Sequence, residues 1–487
     1  MGFILAGLGS AVGLGNIWRF SYLCYKNGGG AFLVPYAIAL LVIGIPIMIL
    51  EFGFGHKMRG SAPMSFAKLS QSWEWLGWWA VNCAMFGIML YYSAVIAWCL
   101  SYVFFSVNLA WGSDPNHFFF QEYLQISSGP GDIGDIRTPI LLSLLGIWAI
   151  CWFIVFFGVQ KGVERANKIF MPILFILTTV LVAWSVSLPG AKEGIAVYLK
   201  PDFQLLKDPQ IWIDAFSQIF FTLSLAFGIM ITYASYLPRK VDLIQDAYIV
   251  SVGNCLYSIF AGFAVFGTLG YMAVTLNKPI AEVVRESIGL AFVAYPQAIS
   301  LMPAFAQLFG VMFFASLVIA GLSSAVSLVE AFSSAVIDKF HYSREAVVSV
   351  VCVAGFLGSI LFTAKSGLYW VDIVDHFITH YGLVIIGLLE CIAVGWIFKA
   401  RKLREHINDH AGKQVLNSLW DISICYLTPL VLVTLLIYDV TNDVSAPYAG
   451  YSWKAIFLLG HTWIAVALVA AFMISMRPWK KDLSEVV

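Results

Sequence analysis

The sequence predicts an all-α integral membrane protein with about 12 transmembrane helices, and three observations carry that expectation. Of its 487 residues, 60% are hydrophobic and only 11% charged, with a mean hydropathy of +0.84, whereas water-soluble domains carry about a quarter charged residues. Apolar stretches of about 20 residues, the length that crosses a bilayer core, recur along the chain between short polar connections. Two of these stretches are broken at mid-length by residues that lipid would not favour: GSAVGLGNIWRF from Gly9 to Phe20, and FFTLSLAFG from Phe220 to Gly228.

Taken in order, the expected spans are 3–23, 31–56, 78–105, 139–158, 167–188, 211–236, 243–275, 303–338, 345–363, 367–400, 418–438 and 453–476. Lys and Arg concentrate on one set of connections, among them Lys57, Arg59, Lys161, Arg165, Arg239, Arg401 and Lys480. Such residues accumulate on the cytoplasmic side, so both termini are expected inside. The formal net charge is zero, which implies no nucleic-acid partner. The longest connection, 106–138, is acidic and punctuated by Gly and Pro (SSGPGDIGD), and is read as an external loop. All 8 cysteines lie in or beside apolar spans, where a thiol is ordinarily a small core residue. There is no N-x-S/T sequon, and the first span lacks the basic segment of a cleavable signal. Together these place the protein in a prokaryotic inner (plasma) membrane as one transmembrane domain, 1–487.

Backbone amides in hydrocarbon must be paired, so interrupted helix survives at membrane depth only beside a buried site or a water-filled cavity. Breaks in the first and sixth spans, five spans apart, fit an inverted repeat with the substrate held where the half-helices meet. The repeats would be 1–188 and 211–400, with 418–476 forming helices 11 and 12. Glycines alone, as in Gly9-x-x-x-Gly13, would fit close helix packing. Asn16 and Arg19 beside them point instead to function, because intramembrane polar and charged groups are costly. Gly7-x-Gly9 follows no strand and does not read as a dinucleotide loop.

The first motif, with NGGGAF (Asn27 to Phe32), GIPIMILEF (Gly44 to Phe52), QIFFTLSLAFG (Gln218 to Gly228) and AGLSS (Ala320 to Ser324), resembles the neurotransmitter:sodium symporter family. The similarity covers essentially the whole chain, which resembles the bacterial amino-acid members with the LeuT fold. It implies a Na⁺-coupled symporter for a neutral amino acid with a hydrophobic side chain. One Na⁺ would be held by the Ala11 carbonyl, Asn16, Thr222, Asn254 and the substrate carboxylate. A second would be held by the carbonyls of Gly9, Val12 and Ala320 with the hydroxyls of Ser323 and Ser324. A carboxylate at a half-helix N-terminus meets free amides and a favourable dipole; the resemblance assigns those amides to Leu14 and Gly15, with Tyr92 closing the cradle. The substrate ammonium would be read by the carbonyls of Ala11 and Phe221 and by Ser224. Monoamine-carrying relatives have aspartate at the position of Gly13, so glycine there argues for a substrate with its own carboxylate. The side-chain pocket would be Ile88, Phe227, Ser324 and Leu328, near Ser10. Ala226 stands where the family usually has glycine, and its methyl is expected either to narrow the pocket or to stiffen the break.

The same resemblance makes Arg19 and Asp375 an outer gate, and Tyr236 and Asp338 an inner one. The family's inner-gate partners, an Arg and a Trp ahead of the first span, have no counterpart in a sequence that starts Met1-Gly2. Gly162, nine residues and then Pro172 resemble a pattern that lets the fifth helix unwind at its cytoplasmic end. Tyr36, Gln218, Thr222, Asn254 and Ser258 would surround one Cl⁻, serine at the last position accompanying chloride dependence in the family. Glu51 is expected to brace the broken helices through hydrogen bonds. Two histidine pairs, His376/His380 and His406/His410, have a spacing that suits a metal on one helical face, but lack a local third ligand and are read as non-metal. The rival functional class is a non-transporting amino-acid sensor on the same fold. No activated nucleophile suggests an enzyme.

Overall fold

A computed structural model describes residues 2–284, 287–411 and 415–480. Among them ten helices are long and apolar enough to cross a membrane, and an eleventh span is the pair Gly2–Ala11 and Leu14–Lys26, bent by 68°. The continuous spans are Gly30–Met58, Gln71–Ser106, Thr138–Phe156, Val159–Ser187, Leu243–Leu276, Ala306–Phe340, Arg344–Thr363, Gly367–Ile397, Ser418–Gly450 and Trp453–Ser475. The remaining expected span, the sixth, is divided into Pro209–Thr222 and Ile229–Ser235. No strand occurs among the described residues; Gly29 with Pro201 and Ile136 with Ala364 form isolated bridges.

Each break has a local cause. Gly13 is extended, with φ −131° and ψ −165°, so the first helix stops before it and a short turn restarts at Leu14. In the sixth span Ser224, Ala226 and Gly228 take φ of 53°, 65° and 72°. Alternating left-handed residues cannot propagate a right-handed helix. At the N-terminal end of this span Asp208 caps the helix by accepting from Gln210 N at 2.9 Å.

The first span packs against the fifth, seventh and eighth, and the eighth runs along the third. Both halves of the sixth lie against the second. Apolar side chains of the fourth, fifth, ninth, eleventh and twelfth spans, such as Leu142, Phe175, Val350, Leu430 and Val466, face outward as a lipid surface would require. The NGGGAF motif has a structural role. Gly29, at φ 61°, brings the turn after the first span so near the segment after the fifth that a Cβ would lie 2.2 Å from the Val197 carbonyl.

Several expected boundaries shift. The third helix begins at Gln71 and the fifth at Val159. The long connection 106–138 is partly helical: Pro115–His117 continues through Phe118–Tyr123, and Phe119 stacks on Phe292 with centroids 5.0 Å apart. Further helices, Ala62–Leu69, Ala191–Leu199, Leu290–Ser300 and Ala400–Ala411, lie in connections that the search for apolar spans left as loops. The fifth helix is wound through Pro172, with a wide turn over Val159–Val163. Gly162 is needed there, because a Cβ would lie 1.9 Å from the Ile154 carbonyl.

Candidate functional site

The two breaks face each other across a cavity of about 50 Å³, whose walls include Gly13, Leu14, Tyr92, Ser224, Phe227 and Leu328. That volume holds only a few waters. The Leu14 amide donates to Tyr92 Oη at 3.3 Å, which places a phenol at the exposed half-helix N-terminus. A Cβ on Gly13 would lie 2.9 Å from Tyr92 Oη and 3.0 Å from Ser324 Oγ. Glycine is therefore what allows the phenol and the hydroxyl to converge on the break. Ser224 Oγ donates to the Ser10 carbonyl at 3.1 Å, joining the two interrupted segments directly. Ala11, Gly15, Ile88 and Phe221 complete the walls named from the sequence.

Beside the cavity lies an oxygen-rich cage. Ser324 Oγ is 3.4 Å from the carbonyls of Gly9, Val12 and Ala320, and 3.1 Å from that of Ser10. Ser323 Oγ is 2.8 Å from the Ala320 carbonyl and 3.4 Å from that of Val12. Two hydroxyl protons cannot satisfy this many acceptors. A hard cation with oxygen ligands at about 2.4 Å sets neighbouring ligands of an octahedron about 3.4 Å apart, a spacing these atoms approach. The structure thus brings together all five oxygens assigned to the second ion.

On the other side of the break, Asn16 is the centre of a buried network. Its Oδ1 accepts from Gly13 N at 2.8 Å, and its Nδ2 donates to Asn254 Oδ1 and Ser258 Oγ, both at 2.8 Å. Asn254 Nδ2 donates to Thr222 Oγ1 at 3.2 Å. The three side chains assigned to the first ion, Asn16, Thr222 and Asn254, are therefore neighbours held to one another by hydrogen bonds. Tyr36 lies beside Ser258 and Cys255. Both amide atoms of Gln218, one turn from Thr222, are buried without a hydrogen-bond partner.

Glu51 Oε1 accepts from Ala226 N at 2.8 Å, the bracing of the broken helix expected of that carboxylate. Ala226 does not line the cavity; a Cβ built on Gly387 would lie 3.6 Å from its methyl, which therefore points toward the tenth span. Of the two expectations for this residue, the stiffened break is the one the geometry fits. Holding alanine in the left-handed region costs about 1 kcal/mol. Ala226→Gly is accordingly expected to raise the melting temperature by about 1–2 °C and to leave substrate selectivity unchanged. Thermal-shift and uptake-competition assays check both, and altered selectivity would contradict the placement of the methyl.

The gate residues are placed as follows. Arg19 sits over the Phe221 ring, 4.8 Å from its centroid. Asp375 accepts a hydrogen bond from Tyr91 Oη, and no direct Arg19–Asp375 ion pair occurs among the described residues. Tyr236 pairs with Ser334 at 3.1 Å, Ser334 donates to Glu330 at 2.7 Å, and Glu330 is paired with Arg344. Asp338 accepts from Ser61 N at 2.8 Å. Tyr236 and Asp338 thus tie separate segments, and Glu330 and Arg344, missed in the sequence, link the former to the ninth span. Asn167 was missed too: its Oδ1 is buried and unpaired, 2.0 Å from where a Cβ on Gly9 would be. Glu390, buried beside Glu51, is another.

Paired interrupted helices, with free amides, carbonyls and hydroxyls turned to a shared interior cavity, define the site of a secondary transporter. The chain matches the model of the sodium:neurotransmitter symporter family over residues 1–117 and 111–481, and it belongs to that family. It is 48% identical to an uncharacterized sodium-dependent transporter of Methanocaldococcus jannaschii, over 97% of this chain and 96% of that protein. The creatine transporter of Torpedo marmorata is 33% identical over 91% of this chain and 78% of its own length. The human sodium- and chloride-dependent GABA transporter 2 is 31% identical over 92% and 80%.

Proposed function

We propose that this protein takes up a neutral, hydrophobic amino acid by symport with two Na⁺ and one Cl⁻, from the plasma membrane and with both termini cytoplasmic. The observation that carries the reading is the pairing of a half-helix N-terminus under Tyr92 with the oxygen cage of Gly9, Val12, Ala320, Ser323 and Ser324. One end suits a carboxylate and the other a hard cation, so anion and cation sites meet at a single break. The first Na⁺ falls to the Ala11 carbonyl, Asn16, Thr222 and Asn254, where the substrate carboxylate completes the shell and couples ion to substrate.

Gly13 leaves the carboxylate role to the substrate. Creatine and GABA, which the relatives' names mention, also carry carboxylates, so that half of the site suits them equally. The other half is apolar: Ile88, Phe227 and Leu328 offer no partner for a guanidino or distal ammonium group. An α-amino acid fits better, its ammonium near the Ala11 and Phe221 carbonyls and Ser224. The relatives are named as transporters, and the sensor reading finds no support among them. In proteoliposomes an inward Na⁺ gradient should drive accumulation of a labelled aliphatic amino acid at least ~10-fold above a K⁺ control, competed by neutral but not charged amino acids. Preference for creatine or GABA would overturn the substrate; absence of gradient-driven accumulation would overturn the coupling.

A further inference from the structure

We propose that His56, His406 and His410 form a transition-metal site, taking a borderline divalent cation such as Zn²⁺ with water in the fourth position. The sequence offers only the second and third of these as a pair on one helix face. Folding adds His56, 350 residues away, from the end of the second span. One ring nitrogen from each of the three lies within 4.8 Å of the others. His56 Nδ1 is 3.0 Å from His406 Nε2, and the His406 and His410 ring centroids are 4.2 Å apart. Tetrahedral Zn²⁺ with Zn–N of about 2.0–2.1 Å requires ligand nitrogens about 3.4 Å apart, a spacing reached by small rotations of the imidazoles.

One of the three rings is already set for ligation. His410 Nδ1 is 2.7 Å from the His406 carbonyl, so it carries the proton and leaves the lone pair on Nε2. His56 Nε2 is 3.0 Å from both the Pro238 carbonyl and Arg59 Nη2, and its Nδ1 shares one proton with His406 Nε2 at 3.0 Å, a proton that a metal bridging the two rings would release to solvent. Fixing one ring nitrogen on a backbone carbonyl, so that the other is presented to a metal, is the usual outer-shell arrangement at histidine sites. No carboxylate or thiol joins the three among the described residues. Arg59, with Nη2 3.0 Å from His56 Nε2, and Lys57 stand close by. These cations oppose a divalent ion and set the expected affinity at micromolar rather than tighter.

Occupancy would have a mechanical consequence, which rests on the transport reading. The ligands belong to the second span and to Ala400–Ala411, the helix after the tenth span. Through the Pro238 carbonyl the site also touches the chain leaving the sixth. A metal would pin these segments together at the end that must part for inward release. The histidines of the other pair are engaged differently: His376 and His380 meet Asp443 at 2.8 Å and Asp439 at 3.1 Å.

The test uses the purified full chain in detergent, with any polyhistidine tag removed, titrated with Co²⁺ as a spectroscopic probe and then competed with Zn²⁺. One equivalent per chain should bind with micromolar affinity and tetrahedral visible bands, displaced by Zn²⁺. His406→Gln and the half-buried His410→Gln should each weaken binding at least ~10-fold. Absence of saturable binding, or equal binding in wild type and in both variants, would overturn the site. Binding is read without transport, so its failure is separable from failure of the symport reading. In proteoliposomes Zn²⁺ at the cytoplasmic face should slow uptake by wild type and spare His410→Gln. Equal inhibition of the two would overturn the pinning.

Discussion

Asn16→Ala is expected to lower Na⁺-driven uptake at least ~100-fold while the protein still inserts in the membrane. The side chain joins three buried groups: it accepts from Gly13 N and donates to Asn254 Oδ1 and Ser258 Oγ, each at 2.8 Å. Truncation leaves these partners in a dry interior, and an unsatisfied buried polar group costs about 1–3 kcal/mol. Two such losses at about 1.4 kcal/mol per tenfold account for the factor. The ion would lose a side-chain oxygen as well. Because a defect of this size could be confused with misfolding, Na⁺ binding is read separately. Na⁺ should raise the melting temperature of the wild type by mass action on the folded state, and the variant should lose that shift while melting cooperatively. Near-normal transport by Asn16→Ala would remove this residue from the ion site and leave it a brace for Gly13.

The parts of this molecule that were legible in its sequence are those in which a local pattern conflicts with the lipid environment. GSAVGLGNIWRF and FFTLSLAFG advertise breaks because glycines, an amide and hydroxyls stand where an uninterrupted apolar helix would be cheaper, and the structure breaks both helices there. Ser323 and Ser324 are legible for a related reason: adjacent hydroxyls after a glycine sit at a depth where nothing solvates them. Residues whose meaning depends on distant partners were not legible. Asn167 stands alone in RANKIF and matters through its approach to Gly9, 158 positions earlier. Glu390 is one carboxylate in an apolar span until the fold sets it beside Glu51. The direction of the Ala226 methyl was undecidable because it follows from a left-handed φ of 65°, which sequence reports only for glycine with any regularity. His56 looked like an ordinary residue at a helix end. The helices of the connections have no signal in a search for apolar spans because they are shorter than a bilayer crossing, and packing on the bundle stabilises them.

Replacing chloride with gluconate at constant Na⁺ is expected to cut the initial uptake rate of the wild type at least ~10-fold, and Ser258→Glu is expected to remove that dependence. Two Na⁺ and a zwitterion leave a buried positive excess, which is costly at low dielectric unless compensated nearby. The side chains around Ser258 offer donors of the kind an anion needs. Gln218 Nε2 is a buried donor without an acceptor, Tyr36 lies beside Ser258, and Thr222, Asn254 and Ser258 share one hydrogen-bond network. Ser258 Oγ accepts from Asn16 and is 3.3 Å from the Asn254 carbonyl, so a carboxylate introduced there would stand beside the first ion and supply the charge chloride brings. The native carboxylates are poorly placed to do so. Asp214 is already engaged by Lys26 at 3.1 Å, Asn27 at 2.9 Å and Gln210 at 2.6 Å. Glu51 spends one oxygen on the Ala226 amide. Undiminished wild-type uptake in gluconate would refute the chloride site directly, whether or not Ser258→Glu folds. In that case Glu51, whose second oxygen is buried without a partner, becomes the compensating charge, and Glu51→Gln should then depress Na⁺-driven uptake at every chloride concentration.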